Sequence, residues 1–274
     1  MKPAIITLLT DFGTQDYFVG AMKGVILSAN PAARIVDLTH DIPPQDIQAA
    51  AFNLLATYKD FPPGTIHVAV VDPGVGSKRR PVSIECAGRF FVGPDNGIFS
   101  FVCSREGKYQ ARHLTNRHFF REPTSATFHG RDVFAPVAAA LSLGVDPEEL
   151  GPRIDDLVQL DLRDPTLTDD GSIEAAVMHI DRFGNCITNL TRDHFERVSG
   201  DAPRLLIGDC EITSFRTFFA EDDEAEGELF MIVGSAGFIE IAARNASAAA
   251  ILRARRGETV RLITTRRGRE TSAR

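Results

Sequence analysis

Apolar residues in the first half of the chain follow two alternating patterns, continuous runs and helically spaced positions. The continuous runs are rich in β-branched residues, which is typical of strands buried on both faces; they span residues 4–10, 33–39 and 65–72. Between them, residues 17–29 and 46–58 repeat apolar side chains every three or four positions, and Asp46 is placed to cap the second helix. This alternation predicts a parallel or mixed, Rossmann-like sheet sandwiched by helices.

Two further strand-like runs and a helix complete the first half. The runs are PVSIECA and RFFVGPDNGIFSFV, and the second contains Asn96-Gly97, the dipeptide most typical of a two-residue hairpin turn. We therefore expect the second run to fold back on itself at this point. Residues 131–143 have helical spacing, and Gly144 is expected to end that helix.

The pattern changes after residues 151–171, which are rich in Asp and Pro and have no sustained periodicity. Beyond them, short strand-like runs are separated by Gly, Asn and Asp turns, and only residues 246–253 have the character of a helix. We predict two domains on this basis, an α/β domain at residues 1–165 and a smaller all-β, barrel-like domain at residues 166–274.

The composition places the chain among soluble globular proteins. With 43% hydrophobic residues there is enough apolar material for a core, which excludes a disordered chain, and no apolar run is long enough to cross a membrane. The N-terminal segment lacks the features of a signal peptide, so we expect a cytoplasmic protein. The cysteines have no metal-binding or disulfide-framework spacing and are expected to be reduced; they are Cys86, Cys103, Cys186 and Cys210.

Charge is distributed unevenly along the chain. The formal net charge is -7, which disfavours a nucleic-acid partner. From Arg253 to Arg274, however, there are eight arginines and two glutamates, a segment that we call the basic tail; the rest of the chain has 22 positive and 35 negative residues. The tail is expected to be a final strand followed by a solvated extension, and the alternative is an arm that binds an anion.

Carboxylates follow two of the predicted strands. Asp72 ends the third strand and is followed by a Gly-rich turn with Arg79 and Arg80 close behind, whereas Asp11 follows the first strand. Phosphate-binding turns require a following helix, and a strand follows here, so a dinucleotide or P-loop site is excluded. If the two strands are neighbours, both carboxylates face one ligand-binding crevice, where one could bind a sugar diol. Each could instead simply cap a turn or a helix.

His129 is the histidine most suggestive of chemistry, because it precedes Gly130 in a turn that opens a helix. A lone histidine can equally be structural, and His40, which follows the second strand, is a weaker candidate. The sequence contains no HExxH motif, no paired cysteines and no calcium-binding spacing, so no metal site is predicted. The absence of a GxSxG motif leaves serine hydrolase chemistry unsupported.

Seven segments in this order resemble the S-adenosyl-L-methionine hydrolases, which are hydroxide adenosyltransferases related to the fluorinating and chlorinating enzymes. They are TDFGTQDYFVGAMKG, DLTHDIPPQDIQAAAFNL, VVDPGVGSKRR, VGPDNGIFSFV, TFHGRDVFAPVAA, IDRFGNCITNL and GSAGFIEIA. The resemblance runs from about residue 5 to residue 250, so the basic tail lies outside it.

The resemblance implies an N-terminal α/β domain, a C-terminal β-barrel and a homotrimer whose active sites lie between neighbouring subunits. It also implies that Asp72, Arg79 and His129 surround the attacking water, and that Asp11 holds the ribose hydroxyls of a small-molecule substrate. Arg80, one residue further along, is expected to point to the other face of its strand.

Further substrate contacts carry over from the same resemblance. Asp181, Asn185, Ser235 and Glu240 would contact the methionine part, and the backbone near Ala243 would face the adenine. For Asn185 the alternative is a purely structural role in a tight Phe-Gly-Asn turn between strands. S-adenosyl-L-methionine is then the substrate, and no separate cofactor is expected.

The branch of the family is indicated by two positions. Relatives that use halides have Tyr where Asp72 stands and Tyr-Ser where His129 and Gly130 stand. A carboxylate repels a halide but accepts a hydrogen bond from water, so these residues favour hydrolysis of S-adenosyl-L-methionine to adenosine and L-methionine. The alternatives are a halogenating adenosyl transferase and a non-catalytic protein that binds an adenosyl ligand.

Overall fold

The first apolar run forms a buried strand, the second from one edge of a seven-stranded sheet. The computed structural model describes residues 3–161, 164–198, 204–220 and 225–263, and it divides into two units, Met1–Asp161 and Leu162–Arg274. The strands of the first unit are β1 (Ile5–Thr10), β2 (Arg34–Thr39), β3 (Ile66–Val70), β4 (Pro81–Cys86), β5 (Arg89–Pro94), β6 (Tyr109–His113) and β7 (Arg153–Ile154). Their order is β2-β1-β3-β5-β4-β6-β7.

The sheet is mixed. Strands β2, β1, β3 and β5 run parallel to one another, while β4, β6 and β7 each pair antiparallel with their neighbours. The helices of this unit are α1 (Phe18–Ala29), α2 (Ile47–Thr57), α3 (Ser100–Glu106) and α4 (Ala135–Ser142), and a π-helical turn, Gly130–Phe134, leads into the last of them. As predicted, Asp46 caps α2, and its side chain accepts a hydrogen bond from the backbone N–H of Ala49.

Helices cover both faces of this sheet. Successive side chains of β1 point to opposite sides, so they contact both layers. Ile6 and Leu8 belong to one buried cluster with apolar residues of α1 and α4. On the opposite face, Thr7 is hydrogen-bonded to His67 over 2.8 Å, and the His67 ring stacks on Phe91 near the end of α2 and the start of α3. The predicted α/β class of the N-terminal half is therefore confirmed.

The predicted hairpin at Asn96-Gly97 is wrong. The hairpin joins β4 to β5 through Ala87 and Gly88, both of which have positive φ, and the chain after β5 continues into α3 instead of a strand. The side chain of Asn96 is used elsewhere, since its amide donates to the carbonyl oxygen of Val71 over 2.8 Å. A local turn signal is overridden here by a contact with the segment that follows β3.

The second unit is a largely antiparallel sheet. Its strands are β8 (Thr166–Leu167), β9 (Ile173–Ile180), β10 (Cys186–Thr191), β11 (Arg204–Ile207), β12 (Cys210–Ile212), β13 (Phe215–Arg216), β14 (Leu229–Val233), β15 (Phe238–Ala243) and β16 (Thr259–Ile263). They follow the order β12-β11-β16-β9-β10-β15-β14-β13, with β8 beside β9. The change to a C-terminal sheet unit agrees with the sequence pattern.

Two short helices interrupt this sheet, α5 (Arg192–Val198) and α6 (Ala248–Leu252). The second corresponds to the helix expected at residues 246–253, whereas α5 was missed. With only two turns, α5 is too short for apolar periodicity to be seen, and its buried Phe195, stacked on Phe215 at 4.6 Å, supplies its anchor.

The described part of the basic tail includes a strand of the second sheet. Its strand β16 pairs with β9 and β11, and Arg261 forms an ion pair with Asp170 over 2.8 Å. The last four arginines, Arg266, Arg267, Arg269 and Arg274, lie outside the described residues. No helix in the described part of the chain has the length and apolar character needed to span a membrane.

Candidate active site

Both predicted carboxylates follow neighbouring strands. β1 and β3 are adjacent and parallel, with Thr10 opposite Val70, so the chain leaves the same edge of the sheet at Asp11 and at Asp72. Ligands of open α/β sheets bind beyond this edge, where the carboxyl ends of parallel strands meet. The condition on which the sequence prediction depended, that the first and third strands are neighbours, is therefore met.

Asp72, Arg79 and His129 form one hydrogen-bonded group. The Nε of Arg79 lies 2.9 Å from Oδ1 of Asp72, and its Nη2 donates to Oδ2 of the same carboxylate. The same Nη2 also donates to Nδ1 of His129 over 2.8 Å. The side chains of Asp72 and Arg79 are only 5% and 9% exposed, so the ion pair is held in a largely desolvated position.

The contact with Arg79 fixes the tautomer of His129. A guanidinium has donors and no acceptor, so Nδ1 of His129 must accept and the proton of the neutral ring must sit on Nε2. Burial, followed by the positive charge of Arg79, lowers the pKa of His129 below its ordinary value of 6.5. His129 is therefore a neutral imidazole near pH 7, with an N–H group available on the side away from Arg79.

One hydrogen-bond donor of the Asp72–Arg79–His129 group is not used by the described residues. Nη1 of Arg79 is buried and has no hydrogen-bond partner among the described residues, and the guanidinium carbon lies 5.3 Å from the ring centre of Phe134. Buried polar groups without partners are uncommon in folded proteins, because each costs about 1–3 kcal/mol. The geometry thus leaves a charged donor free to bind a ligand oxygen beside Asp72 and His129.

Close backbone packing brings the Asp72–Arg79 turn to the segment that carries His129. Gly76 has a φ of +76°, and a Cβ at this position would lie 2.3 Å from the carbonyl oxygen of Ala126. Only glycine allows this approach. On the other side of His129, a Cβ on Gly130 would lie 3.1 Å from the sulfur of Met22, so the ring is carried on a tightly packed turn.

The side chain of Asp11 is held by a backbone hydrogen bond and does not cap a helix. Its Oδ2 accepts from the backbone N–H of Gln45 over 2.8 Å, and Gln45 has a φ of +67°, which is rare for a residue with a side chain. Helix α1 begins after Tyr17 and has no side-chain cap, so the alternative that Asp11 caps it does not apply. Its second carboxylate oxygen has no hydrogen bond from the described residues.

His40 is buried between Thr10 and Asp37, which is a structural position. Nδ1 is hydrogen-bonded to Thr10 over 2.8 Å, and Nε2 lies 3.1 Å from a carboxylate oxygen of Asp37. Arg80 likewise points away from Asp72: it forms ion pairs with Asp95 at 2.6 Å and with Asp156 at 2.7 Å. Within the described residues, no cluster of three or more His, Cys, Asp or Glu side chains could hold a metal ion.

In the second unit, Asp181 and Asn185 occupy the turn between β9 and β10. Oδ1 of Asp181 accepts from the backbone N–H groups of Phe183 and Asn185, and its Oδ2 accepts from the side-chain amide of Asn185 over 2.9 Å. Both side chains therefore build the turn, as the structural alternative for Asn185 states. The remaining amide oxygen of Asn185 has no hydrogen bond from the described residues.

Glu240 lies close to this turn and to the turn that follows β14. A Cβ on Gly234 would lie 1.7 Å from Oε1 of Glu240, so the carboxyl group covers Gly234 beside the exposed Ser235. Burial and, secondly, the negative charge of Asp181 raise the pKa of Glu240 to about 7. The carboxyl groups of Glu240 and Asp181 thus repel one another, and a cationic ligand would relieve this repulsion.

Ala243 lines an open cleft together with Asn185. The cleft has a volume of about 770 Å³, and the aromatic rings of Phe183 and Phe219 line it together with Arg244. Phe183 is 78% exposed, an unusual position for a large apolar side chain. A flat aromatic ligand would cover these rings, and Asn185 offers it polar contacts.

Sequence reasoning missed three residues that shape these sites. Phe134 lies under the Arg79 guanidinium, Phe219 lines the cleft of the second unit, and Asn96 contacts the chain beside Asp72. For Asn96 the signal was present in its Asp-Asn-Gly segment but was assigned to a hairpin. The two phenylalanines had no signal, since apolar residues in a strand- or helix-forming run are expected in any core.

Comparisons with known proteins assign both units to one family. Residues 6–151 match the model of the SAM hydroxide adenosyltransferase N-terminal domain, and residues 175–261 match the model of the corresponding C-terminal domain. The second match extends into β16, so the first arginines of the basic tail lie within it. The resemblance inferred from the seven segments is therefore confirmed.

Individual relatives agree with this assignment. A (R)-S-adenosyl-L-methionine hydrolase of Thermus thermophilus is 38% identical over 278 residues, covering 96% of this chain and all of the relative. One of Methanocaldococcus jannaschii is 38% identical over 248 residues, 86% of this chain and 87% of the relative. A crystal structure of a conserved protein from Thermotoga maritima superposes with a TM-score of 0.86 at 35% identity, covering 94% of this chain and 99% of that one.

A halide-using relative is more distant. The fluorinase of Nocardia brasiliensis is 27% identical over 220 residues, which are 71% of this chain and 73% of the relative. The similarity to hydrolases thus exceeds the similarity to this fluorinase both in identity and in coverage.

Proposed function

This chain belongs to the SAM hydroxide adenosyltransferase family, and we propose that it is an enzyme that hydrolyses S-adenosyl-L-methionine to adenosine and L-methionine. The names of its hydrolase relatives support the reaction. The observation that carries the proposal is the buried Asp72–Arg79 pair joined to His129, with one guanidinium donor left over at the carboxyl edge of the first sheet.

The reaction is an in-line displacement at carbon 5′ of the ribose. The oxygen of water or hydroxide forms a bond to this carbon as the carbon–sulfur bond breaks, and the electron pair of that bond neutralises the sulfonium. Methionine leaves as a neutral thioether, so it requires no proton from the enzyme. When water is the nucleophile, it releases one proton, which Asp72 would accept before passing it to solvent.

Arg79 and His129 are assigned to the oxygen of the nucleophile. Nη1 of Arg79 is a charged donor without a protein partner among the described residues, and Nε2 of His129 carries the second donor. Together they would orient the oxygen and replace part of its hydration, while Asp72 accepts a hydrogen bond from it. Because its Nδ1 is occupied by Arg79, His129 acts as a donor in this scheme and not as the base.

The other predicted contacts are assigned to the remaining parts of the substrate. Asp11 would bind the ribose hydroxyls with its free carboxylate oxygen, and Asp181, Asn185, Ser235 and Glu240 would contact the methionine part. The aromatic cleft beside Asn185 and Ala243 would receive the adenine. A carboxylate-rich site suits a substrate that carries a sulfonium and an ammonium charge.

The same carboxylate favours water over a halide. Asp72 stands where halide-using relatives have Tyr, and a desolvated carboxylate repels fluoride or chloride, which cannot donate a proton to it. The lower identity to the fluorinase of Nocardia brasiliensis agrees with this assignment.

Assembly and location follow from the family resemblance. We assign the first unit to a Rossmann-like α/β domain and the second to a barrel-like domain, and we expect a cytoplasmic homotrimer in which two chains contribute to each active site. No cofactor besides the substrate is needed for a displacement of this kind. Light scattering of the purified protein would measure the mass of the assembly, and a monomeric mass under assay conditions would contradict the trimer.

Product analysis tests the proposed reaction. The purified protein is incubated with S-adenosyl-L-methionine in chloride-containing buffer, and the mixture is separated by chromatography. We expect adenosine and methionine in equal amounts from the wild type, and a loss of at least about 100-fold in rate for Asp72→Ala. A 5′-halo-adenosine would show a halogenating transferase, and unchanged substrate that stays bound to the protein would show a non-catalytic binder.

A further inference from the structure

Asn96 lies where β5 stops pairing with β3. The backbone ladder between the two strands ends at Val68 and Val92. Beyond it, the side-chain amide of Asn96 donates to the carbonyl oxygen of Val71 over 2.8 Å. This side chain thus joins the two segments beyond the end of the ladder, at the residue immediately before Asp72.

Asp95 makes the corresponding contact on the other side of the Gly-rich turn. Its Oδ2 accepts from Nε of Arg80 over 2.9 Å and from Nη2 over 2.6 Å, and its backbone N–H donates to the carbonyl oxygen of Arg80 over 2.9 Å. Its Oδ1 accepts from the backbone N–H of Val158 over 2.8 Å. The Asp95 side chain is 3% exposed, so these bonds form in a dry environment where they hold Arg80 firmly.

Two consecutive residues therefore hold the chain on both sides of the turn that bears the ion pair. Asn96 binds Val71, which precedes Asp72, and Asp95 binds Arg80, which follows Arg79. We propose that Asp95 and Asn96 are positioning residues that set the geometry of the Asp72–Arg79 pair for the hydrolysis proposed above, on which this inference rests.

The proposed effect acts through the backbone. Neither Asp95 nor Asn96 contacts Asp72 or His129 in the described hydrogen bonds, but both ends of the turn depend on them. The bidentate bond between Asp72 and Arg79 fixes where the unpartnered Nη1 points, so a shift at either end moves the donor for the nucleophile. A misplacement of about 1 Å can cost about 100-fold in rate.

Asn116 supplies a matched control for Asn96. Its amide also donates to a backbone carbonyl oxygen over 2.8 Å, that of Glu149, and its Oδ1 also accepts from the backbone N–H two residues later, that of His118. Asn96 makes the equivalent second bond to Ile98. Asn96→Ala and Asn116→Ala therefore each remove an equivalent pair of hydrogen bonds, in two different loops.

The first measurement compares kcat and KM of full-length Asn96→Ala and Asn116→Ala with S-adenosyl-L-methionine. For Asn96→Ala we expect kcat to fall by roughly 10- to 100-fold with KM changed by less than about threefold, and for Asn116→Ala we expect wild-type constants. Asp95→Asn, which keeps the shape of the side chain and loses its charge, serves as a second variant should Asn96→Ala fold poorly. In an Arg79→Lys background, Asn96→Ala should cost little more, because the geometry it protects is already lost.

The second measurement needs no turnover. Nitrogen NMR of the full chain labelled at histidine reports which ring nitrogen of His129 carries the proton. We expect a single tautomer, protonated on Nε2, in the wild type and in Asn116→Ala, and a mixture in Asn96→Ala. Wild-type kcat and an unchanged His129 signal in Asn96→Ala would overturn the positioning role. No hydrolysis by the wild type would instead refute the proposed function, and the NMR comparison would still test the positioning.

Discussion

Nη2 of Arg79 lies 2.8 Å from Nδ1 of His129 and also donates to the carboxylate of Asp72. The guanidinium is thus the central member of the group, with the carboxylate on one side and the imidazole on the other. Because arginine never accepts a hydrogen bond, its position determines that His129 is neutral and protonated on Nε2. This relationship supports the proposed role of His129 as a hydrogen-bond donor to the nucleophile.

Substitutions of His129 separate a donor from a base. We expect His129→Ala to lower kcat by roughly 100- to 1,000-fold, the usual cost of losing one donor to a reacting oxygen. In His129→Gln the terminal amide can still donate near the position of Nε2, so this variant should recover a substantial part of the lost rate. Equal rates for the two variants would contradict the donor role.

The pH dependence of kcat is a second test of His129. Burial and the nearby Arg79 charge lower its pKa, so the neutral ring persists below the ordinary value of 6.5. We expect kcat to remain level as the pH falls through 6.5 and to decline only at lower pH. A decline in kcat centred at or above pH 6.5 would contradict a lowered pKa for His129.

Gly76 tests the close approach of the Asp72–Arg79 turn to Ala126. Gly76 and Gly144 both have a positive φ, which an alanine adopts only with strain. Gly76→Ala also places a Cβ 2.3 Å from the Ala126 carbonyl oxygen, whereas the Cβ of Gly144→Ala would have nothing within 4 Å. We expect Gly144→Ala to cost about 1–2 kcal/mol of unfolding free energy and to leave kcat unchanged. Gly76→Ala should lower both stability and kcat further, as measured by thermal unfolding and initial rates; matching values for the two variants would argue against the contact.

Glu240 predicts a pH-dependent KM. Its pKa, raised to about 7 by burial and by Asp181, means that the carboxylate which would bind a cationic substrate forms as the pH rises through 7. KM for S-adenosyl-L-methionine should therefore decrease across this range in the wild type, and the change should vanish in Glu240→Gln. Glu174→Gln, on the exposed face of β9, is the control and should retain the wild-type profile.

His67 predicts acid sensitivity of the fold. Burial lowers its pKa from 6.5 to about 3, so between these values the unfolded chain binds a proton that the folded chain does not. Unfolding free energy should therefore fall as the pH drops below about 6.5, by roughly 2 kcal/mol at about pH 5 from this group. Urea unfolding at about pH 7.5 and about pH 5 should show a smaller difference for His67→Gln than for the wild type and for the exposed His118→Gln. The same difference in all three proteins would assign the sensitivity to other groups.

Much of the first unit could be predicted because its strands are continuous apolar runs and its helices have a clear period. The same rule, that ligands bind beyond the carboxyl ends of parallel strands, pointed to Asp72 and Asp11 from the sequence alone. The Asn96-Gly97 turn was mispredicted because the Asp-Asn-Gly signal is local, whereas the Asn96 side chain bonds to a backbone carbonyl 25 positions earlier in the chain. The tautomer of His129 also depends on a contact between residues 50 positions apart, which spacing alone does not reveal.

The cleft of the second unit illustrates another limit. Asn185 and Asp181 were identified by their resemblance to family motifs, and the structure adds that both first serve the turn in which they lie. Phe183 and Phe219 form the aromatic lining, yet each is one of 19 phenylalanines and nothing in the sequence separates them from core residues. Burial is a property of the folded chain, so exposed aromatic side chains of this kind emerge only from the structure.

The most direct test of the central claim is the origin of the oxygen at carbon 5′ of the product. The wild type is incubated with S-adenosyl-L-methionine in water enriched in oxygen-18, and the adenosine is analysed by mass spectrometry with fragmentation of the ribose. Attack of water or hydroxide at carbon 5′ predicts one heavy oxygen, located at the 5′ hydroxyl of adenosine, and unlabelled methionine. Adenosine without the label, or a 5′-halo-adenosine in its place, would contradict the account.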